Sequence, residues 1–279
     1  LRAAAALPGD IPPALVEALD RVAFPVLTRE TGKIARQLLE SGLAYKAALG
    51  LRVLGASRAS GAVGTLASFL ASGKVVEVET KTDLDDHEAL LQQVEMMDST
   101  QQARRQQAIR LAALAGLGHL GSKEARAELT QACKANAAGR LDPNKHEDQL
   151  SNENLLYQQA LVSALRCGDD TLAAEVVEML MENIYVVARA RTEANKSDDI
   201  LAQVHSQIGW ELRWQRDLYR QINAAPASVI PALAKALAAV KDRRAALIAL
   251  AVFSGRELPD EARAALQGSP HQAVRLLGN

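Results

Sequence analysis

Four apolar runs that each stop at a single glycine constrain this chain more than any other feature. They are Ala47-Ala48-Leu49 to Gly55, Ala113-Leu114 to Gly121, Ala160-Leu161 to Gly168, and Ala246-Leu247 to Gly255. A glycine just past the last periodic residue is a usual helix stop, because glycine takes the left-handed conformation without steric cost. Each glycine is followed by a short polar break and a second amphipathic run. A helix, a turn and a second helix, repeated at tens of residues, imply a stacked α-solenoid and not a closed globule. Such stacks offer long surfaces and few deep pockets, which suits macromolecular partners.

The composition agrees with helices. Hydrophobic residues make up 48% of the 279 positions, yet aromatics only 3%. Alanine and leucine, the best apolar helix formers, therefore supply most of the apolar surface, whereas a β fold would draw on Val, Ile, Tyr and Phe. Lys plus Arg number 32 and Asp plus Glu 33, a net charge of -1, so the basic excess of a nucleic-acid binder is missing. No apolar run approaches the ~18–20 residues of a membrane span. The chain opens at Leu1 and not at Met, so the native start is expected upstream, and an upstream anchor stays open. Cys133 and Cys167 lie far apart, and buried free thiols are expected before a bridge. The cytoplasm is preferred, with a periplasmic or membrane-tethered location open.

Asp10 is placed to cap a first helix that carries Pro12 and Pro13 in its opening turn and runs to about Phe24. Pro25 breaks it, and a second helix is expected from Thr28 to Glu40. The next pair is Ala44 to Leu54 and Ser60 to Ala71, with Val63, Leu66, Ala67 and Leu70 on its inner face. Lys74 to Thr82 breaks the pattern: Val76, Val78 and Thr80 alternate with Glu77 and Glu79, as in an extended arm. Such an arm could pair with a partner strand, but more often folds over the flank of its own stack. Asp83 to Asp98 reads as an extra helix. This insertion, 74–98, accounts for the 66 residues from Gly55 to Gly121, against 47 from Gly121 to Gly168. The helix-pair class steps by about 40–47. Further pairs are Ala103 to Leu120 with Lys123 to Ala135, and Asn154 to Cys167 with Thr171 to Arg189. Between them a polar loop, 136–153, is long enough to be either functional or disordered. Asp198 or Asp199 opens a helix to Ile222, partnered by Pro226 to Val240. Asp242 to Phe253 and Asp260 to Leu266 form the last full pair, and His271 to Leu277 reads as the start of one more.

Three segments resemble HEAT repeats. They are Arg110-Leu111-Ala112-Ala113-Leu114 through Gly121 with Glu124-Ala125-Arg126-Ala127-Glu128-Leu129, then Arg243-Arg244-Ala245-Ala246-Leu247 through Gly255, and Val229 through Leu237. The resemblance implies a scaffold or adaptor. A minority of HEAT-like proteins are enzymes: bilin lyases, DNA alkylpurine glycosylases and deoxyhypusine hydroxylase. The hydroxylase binds two irons through four His-Glu dipeptides set in helical cores. Here there are two, His87-Glu88 and His146-Glu147, in or beside polar segments, and they read as surface residues. A glycosylase would need a carboxylate, for which Asp217 could serve, and a basic field that is missing. The scarcity of aromatics argues against a tetrapyrrole site.

The candidate partner-binding cluster is Trp210, Arg213, Trp214, Arg216, Tyr219 and Arg220. Both tryptophans share one helix face at i and i+4, and Arg213 is placed to pair with Asp217. Aromatic and arginine side chains are enriched in binding hot spots. The plainer reading is that the tryptophans fill a joint between helix pairs while the arginines face water. His119, His205 and His271 have no metal-like partners at helical spacing, and no phosphate loop, catalytic triad or zinc spacing is present. Gly116 and Gly118 sit inside a helix, where glycine allows close packing.

The expectation is therefore an all-α α-solenoid of about six HEAT-like helix pairs over residues 1–279. It acts as a non-enzymatic scaffold whose concave face binds a protein or peptide, without cofactor, metal or nucleic acid. The alternatives are a HEAT-like enzyme of hydroxylase, lyase or glycosylase type, or a soluble module of a larger membrane-associated protein.

Overall fold

The computed structural model describes residues 1–13, 15–16, 29–59, 61–74, 88–142, 150–194 and 213–279. All regular elements among them are helices, so the described part of the chain is all-α. The expected first helix beyond residue 16, the alternating stretch 75–82, His87, His146, His205, Asp198, Asp199 and Trp210 lie outside the described residues. The chain divides into two compact units, Leu1–Leu120 and Gly121–Asn279.

The first unit holds α1 (Arg2–Ala6), α2 (Arg29–Glu40), α3 (Ala44–Ala56), α4 (Ala62–Ser72) and α5 (Glu88–Leu120). Helix α3 packs against α2, α4 and α5. It is buried on most sides between Ala44 and Gly55, because all its residues but Tyr45, Lys46 and Arg52 are apolar or glycine, and the buried Lys46 donates its Nζ to the Leu7 carbonyl. Leu38, Leu66, Ile109, Leu114 and Leu117 close the core around it. Two glycines let its neighbours approach. A Cβ on Gly50 would stand 2.8 Å from the Ala35 carbonyl oxygen, and one on Gly55 would stand 2.1 Å from that of Gly116.

Gly55 thus departs from expectation. It lies within α3, not in the left-handed turn that ends it, and its missing side chain makes room for the α5 backbone. Gly121, Gly168 and Gly255 do take the left-handed conformation, at φ 63, 91 and 74. The expected helices 83–98 and 103–120 are likewise one continuous helix over the described part, since nothing in Ser99-Thr100-Gln101-Gln102 interrupts it. Asp10 is also reassigned. Its carboxylate accepts the Tyr45 and Lys46 amide N–H groups at 3.1 and 3.0 Å, capping α3 from afar. Leu43 at that helix start has no side chain able to do so.

The second unit holds α6 (Lys123–Ala135), α7 (Asn152–Arg166), α8 (Ala173–Ala194), α9 (Arg213–Asn223), α10 (Ile230–Ala239), α11 (Ala245–Phe253), α12 (Asp260–Gln267) and α13 (Gln272–Leu277). Caps set the starts. Ser122 Oγ accepts the Ala125 N–H, and Ser151 and Asn154 exchange bonds in a capping box. Pro231 opens α10, and Asp242 holds the Arg244 N–H so that α11 begins only at Ala245. Packing runs between near neighbours: α6 on α7, α7 on α8, α8 on α10, α10 on α12, and α11 and α12 on α13. The core is Leu129, Leu161, Leu165, Leu180, Leu218, Leu233, Ile248 and Phe253.

Candidate functional site

Helix α9 presents two different faces. Gln215, Leu218 and Ile222 are buried, and Arg213, Arg216, Arg220 and Asn223 are exposed. The exposed four fall at i, i+3, i+7 and i+10, so three guanidinium groups line one stripe. Trp214 and Tyr219 lie between the faces, each half-buried. Burial pushes the Tyr219 hydroxyl up to about 12. Of the candidate cluster, then, the three arginines face water and the two described aromatics lean inward. Asp217 does not pair with Arg213 as expected. Its contact is Arg220 Nη1 at 3.2 Å, one turn on. Arg213 and Arg216 make no ion pair with a described carboxylate.

The inner side of α9 is tied down by amides. Trp214 Nε1 donates to Gln158 Oε1 at 2.8 Å. Gln158 and Asn183 exchange two bonds, Nε2 to Oδ1 at 2.9 Å and Nδ2 to Oε1 at 3.0 Å. Gln215 Nε2 donates to the Asn183 carbonyl at 2.9 Å. A second link joins Gln159 Nε2 to Gln221 Oε1 at 2.7 Å. Gln158, Gln159 and Asn183 are each 1% exposed, so water cannot replace these bonds. Three helices, α7, α8 and α9, are thereby fixed in rotation, and the arginine stripe is held outward.

Beside this network lies a shallow crevice between the turn Ala137–Gly139 and helices α7 and α8. Arg140 pairs with Glu178 across its edge. Tyr157 donates its hydroxyl to Glu175 Oε2 at 3.0 Å, and burial, then this bond, push it up to about 12. Tyr157 is therefore a proton-bearing donor near neutral pH and not a base. Cys133 is buried, and burial with the nearby Glu175 and Asp169 charges pushes its thiol up to about 12. A thiol so placed stays protonated and unreactive. Cys167 is also buried and free, its thiol raised chiefly by burial. No group of three or more potential metal ligands occurs among the described residues.

The amide links and the crevice were missed by sequence reasoning, because their partners lie 18 to 62 residues apart. One signal was available: Gln158-Gln159 interrupts an otherwise apolar run from Leu155 to Val162, and paired amides there call for buried partners. Comparison with protein-family models, with curated proteins and with solved structures finds no match to this chain.

Proposed function

We propose that the chain is a non-enzymatic scaffold of HEAT-like repeats, stacked as an α-solenoid, that binds a protein or peptide partner on its concave face. The observation that carries this reading is the stripe of Arg213, Arg216 and Arg220, exposed on a helix whose other side is locked by buried amide bonds. Side chains held on a rigid element lose less entropy on binding, and arginine is favoured where carboxylates are recognised. The near-neighbour packing of the second unit and its left-handed Gly168 and Gly255 support the repeat reading.

The test is capture of partners from native lysate by the wild-type chain and by an Arg213→Glu/Arg216→Glu variant. Both positions are exposed, so the fold is expected to survive, unlike in Trp214 variants, which would break the amide network. The reading expects a stoichiometric partner that the variant loses. Equal capture by the two proteins removes α9 as the site.

A further inference from the structure

The arginine stripe does not end in isolation. Asn223, its last exposed position, donates Nδ2 to the Ala251 carbonyl oxygen of α11 at 3.2 Å. Ala251 is itself exposed, and beside it α11 shows water the largest apolar groups of its length: Leu247 is 60% exposed and Leu250 44%. Leu247, Leu250 and Ala251 fall at i, i+3 and i+4 on one face of α11, and exposed Arg243 lies in the turn just before the helix. The hydrogen bond thus joins a basic strip on α9 to an apolar strip on α11. Leu247 and Leu250 thus stand exposed side by side on a helix otherwise packed with Ile248, Val252 and Phe253.

We infer that this joined surface docks an acidic amphipathic segment of the partner, its carboxylates on Arg213, Arg216 and Arg220 and its apolar side chains on Leu247 and Leu250. Charge complementarity selects the occupant. Among the described residues, this surface carries four exposed arginines, Arg213, Arg216, Arg220 and Arg243, against two half-buried acids, Asp217, which pairs with Arg220, and Asp242, which pairs with Arg244. A basic or neutral helix would leave Arg213 and Arg216, which pair with no described carboxylate, uncompensated. A purely acidic chain would leave the leucines wet. The inference rests on the scaffold reading and names the chemistry of its partner.

The probe is a fluorescein-labelled peptide of about 18 residues, with leucine on one helical face and glutamate on the other, about 27 Å long when helical. Binding is followed by fluorescence anisotropy. A peptide with glutamine at every leucine position and one with lysine at every glutamate position serve as comparisons. Arg213→Glu/Arg216→Glu and Leu247→Ser/Leu250→Ser are each expected to weaken binding of the Glu–Leu peptide by about tenfold or more. Added salt should weaken it further. Circular dichroism of both variants checks the fold.

Unchanged binding in the leucine variant, or equal binding of the leucine-free peptide, overturns the inference. So does tight binding of the lysine peptide. Dimerisation in sedimentation that the leucine variant abolishes overturns it in favour of a second copy. Preferential binding to phosphatidylserine vesicles overturns it in favour of a membrane surface. A native partner lost on charge reversal but kept by the leucine variant sinks this inference and leaves the scaffold reading standing. Peptide binding without any arginine-dependent native partner sinks the scaffold reading instead.

Discussion

Replacing Gln158 by leucine tests the amide network directly. The side chain is 1% exposed and answers both polar groups of Asn183, which is 1% exposed too. Leucine fills a similar volume but makes neither bond. Asn183 Oδ1 and Nδ2 would each lose a partner without gaining water, at about 1–3 kcal/mol apiece. The Trp214 indole would lose its bond to Gln158 Oε1 as well, at smaller cost because it is half-buried. A net loss of about 2–5 kcal/mol follows. At about 2 °C per kcal/mol for a chain of this size, the midpoint should drop by roughly 4–10 °C. Both tryptophans fall within Gly121–Asn279, so urea denaturation followed by tryptophan fluorescence reports on the second unit. The midpoint concentration should fall with the slope unchanged. The decisive comparison is Gln158→Leu/Asn183→Leu, in which both partners are apolar and no orphaned amide remains. It should be more stable than the sum of the single changes by more than about 1 kcal/mol. A single variant within about 0.5 kcal/mol of wild type would refute the reasoning, as would strict additivity in the double variant.

Three further outcomes are expected. Gly55→Ala brings a methyl group to 2.1 Å from the Gly116 carbonyl oxygen, so the two backbones must part; a loss of about 3 kcal/mol or more in thermal denaturation is expected, and a neutral result would refute the close crossing. Asp10→Ala removes the acceptor for two amide groups at the start of α3 and should cost about 1 kcal/mol, read as faster hydrogen exchange at Tyr45 and Lys46; unchanged exchange would refute the remote cap. In alkali, the folded chain keeps the Cys133 proton to about 12, while an unfolded thiol releases it near 8.5. Unfolded molecules then bind fewer protons, so stability is complete below pH of about 8.5 and falls through the window up to about 12, by roughly 1.4 kcal/mol per pH unit for this group. Tyr157 adds to the fall above pH of about 10, and Cys133→Ala should flatten the slope between about 9 and 10.

Local signals carried most of the helical pattern. Lys123–Ala135 agrees to the residue, because Ser122 caps its start and left-handed Gly121 precedes it. The outward set Arg213, Arg216 and Arg220 also follows from the 3.6-residue period alone. The misreadings share one cause, which is tertiary context acting on a residue that has a local meaning too. Gly55 has the sequence look of a helix stop, yet the α5 backbone explains it. Asp10 precedes two prolines as a cap would, yet its carboxylate serves amides 35 and 36 residues away. The site divides the same way. Exposure of the arginines is a matter of one helix. The tie between Trp214 and Gln158, 56 residues apart, needs three helices in place.

The meeting of Gly55 and Gly116 has a consequence for descent. The contact consists of space and contains no reacting group, so selection can preserve it only by forbidding side chains at two positions 61 residues apart. The stretch between them can lengthen or shorten at small entropic cost, while a methyl group at either end cannot be absorbed cheaply. Divergent relatives should therefore keep a pair of glycines at a variable interval long after the residues around them have drifted, and that pair offers a mark for tracing common ancestry where overall identity has faded.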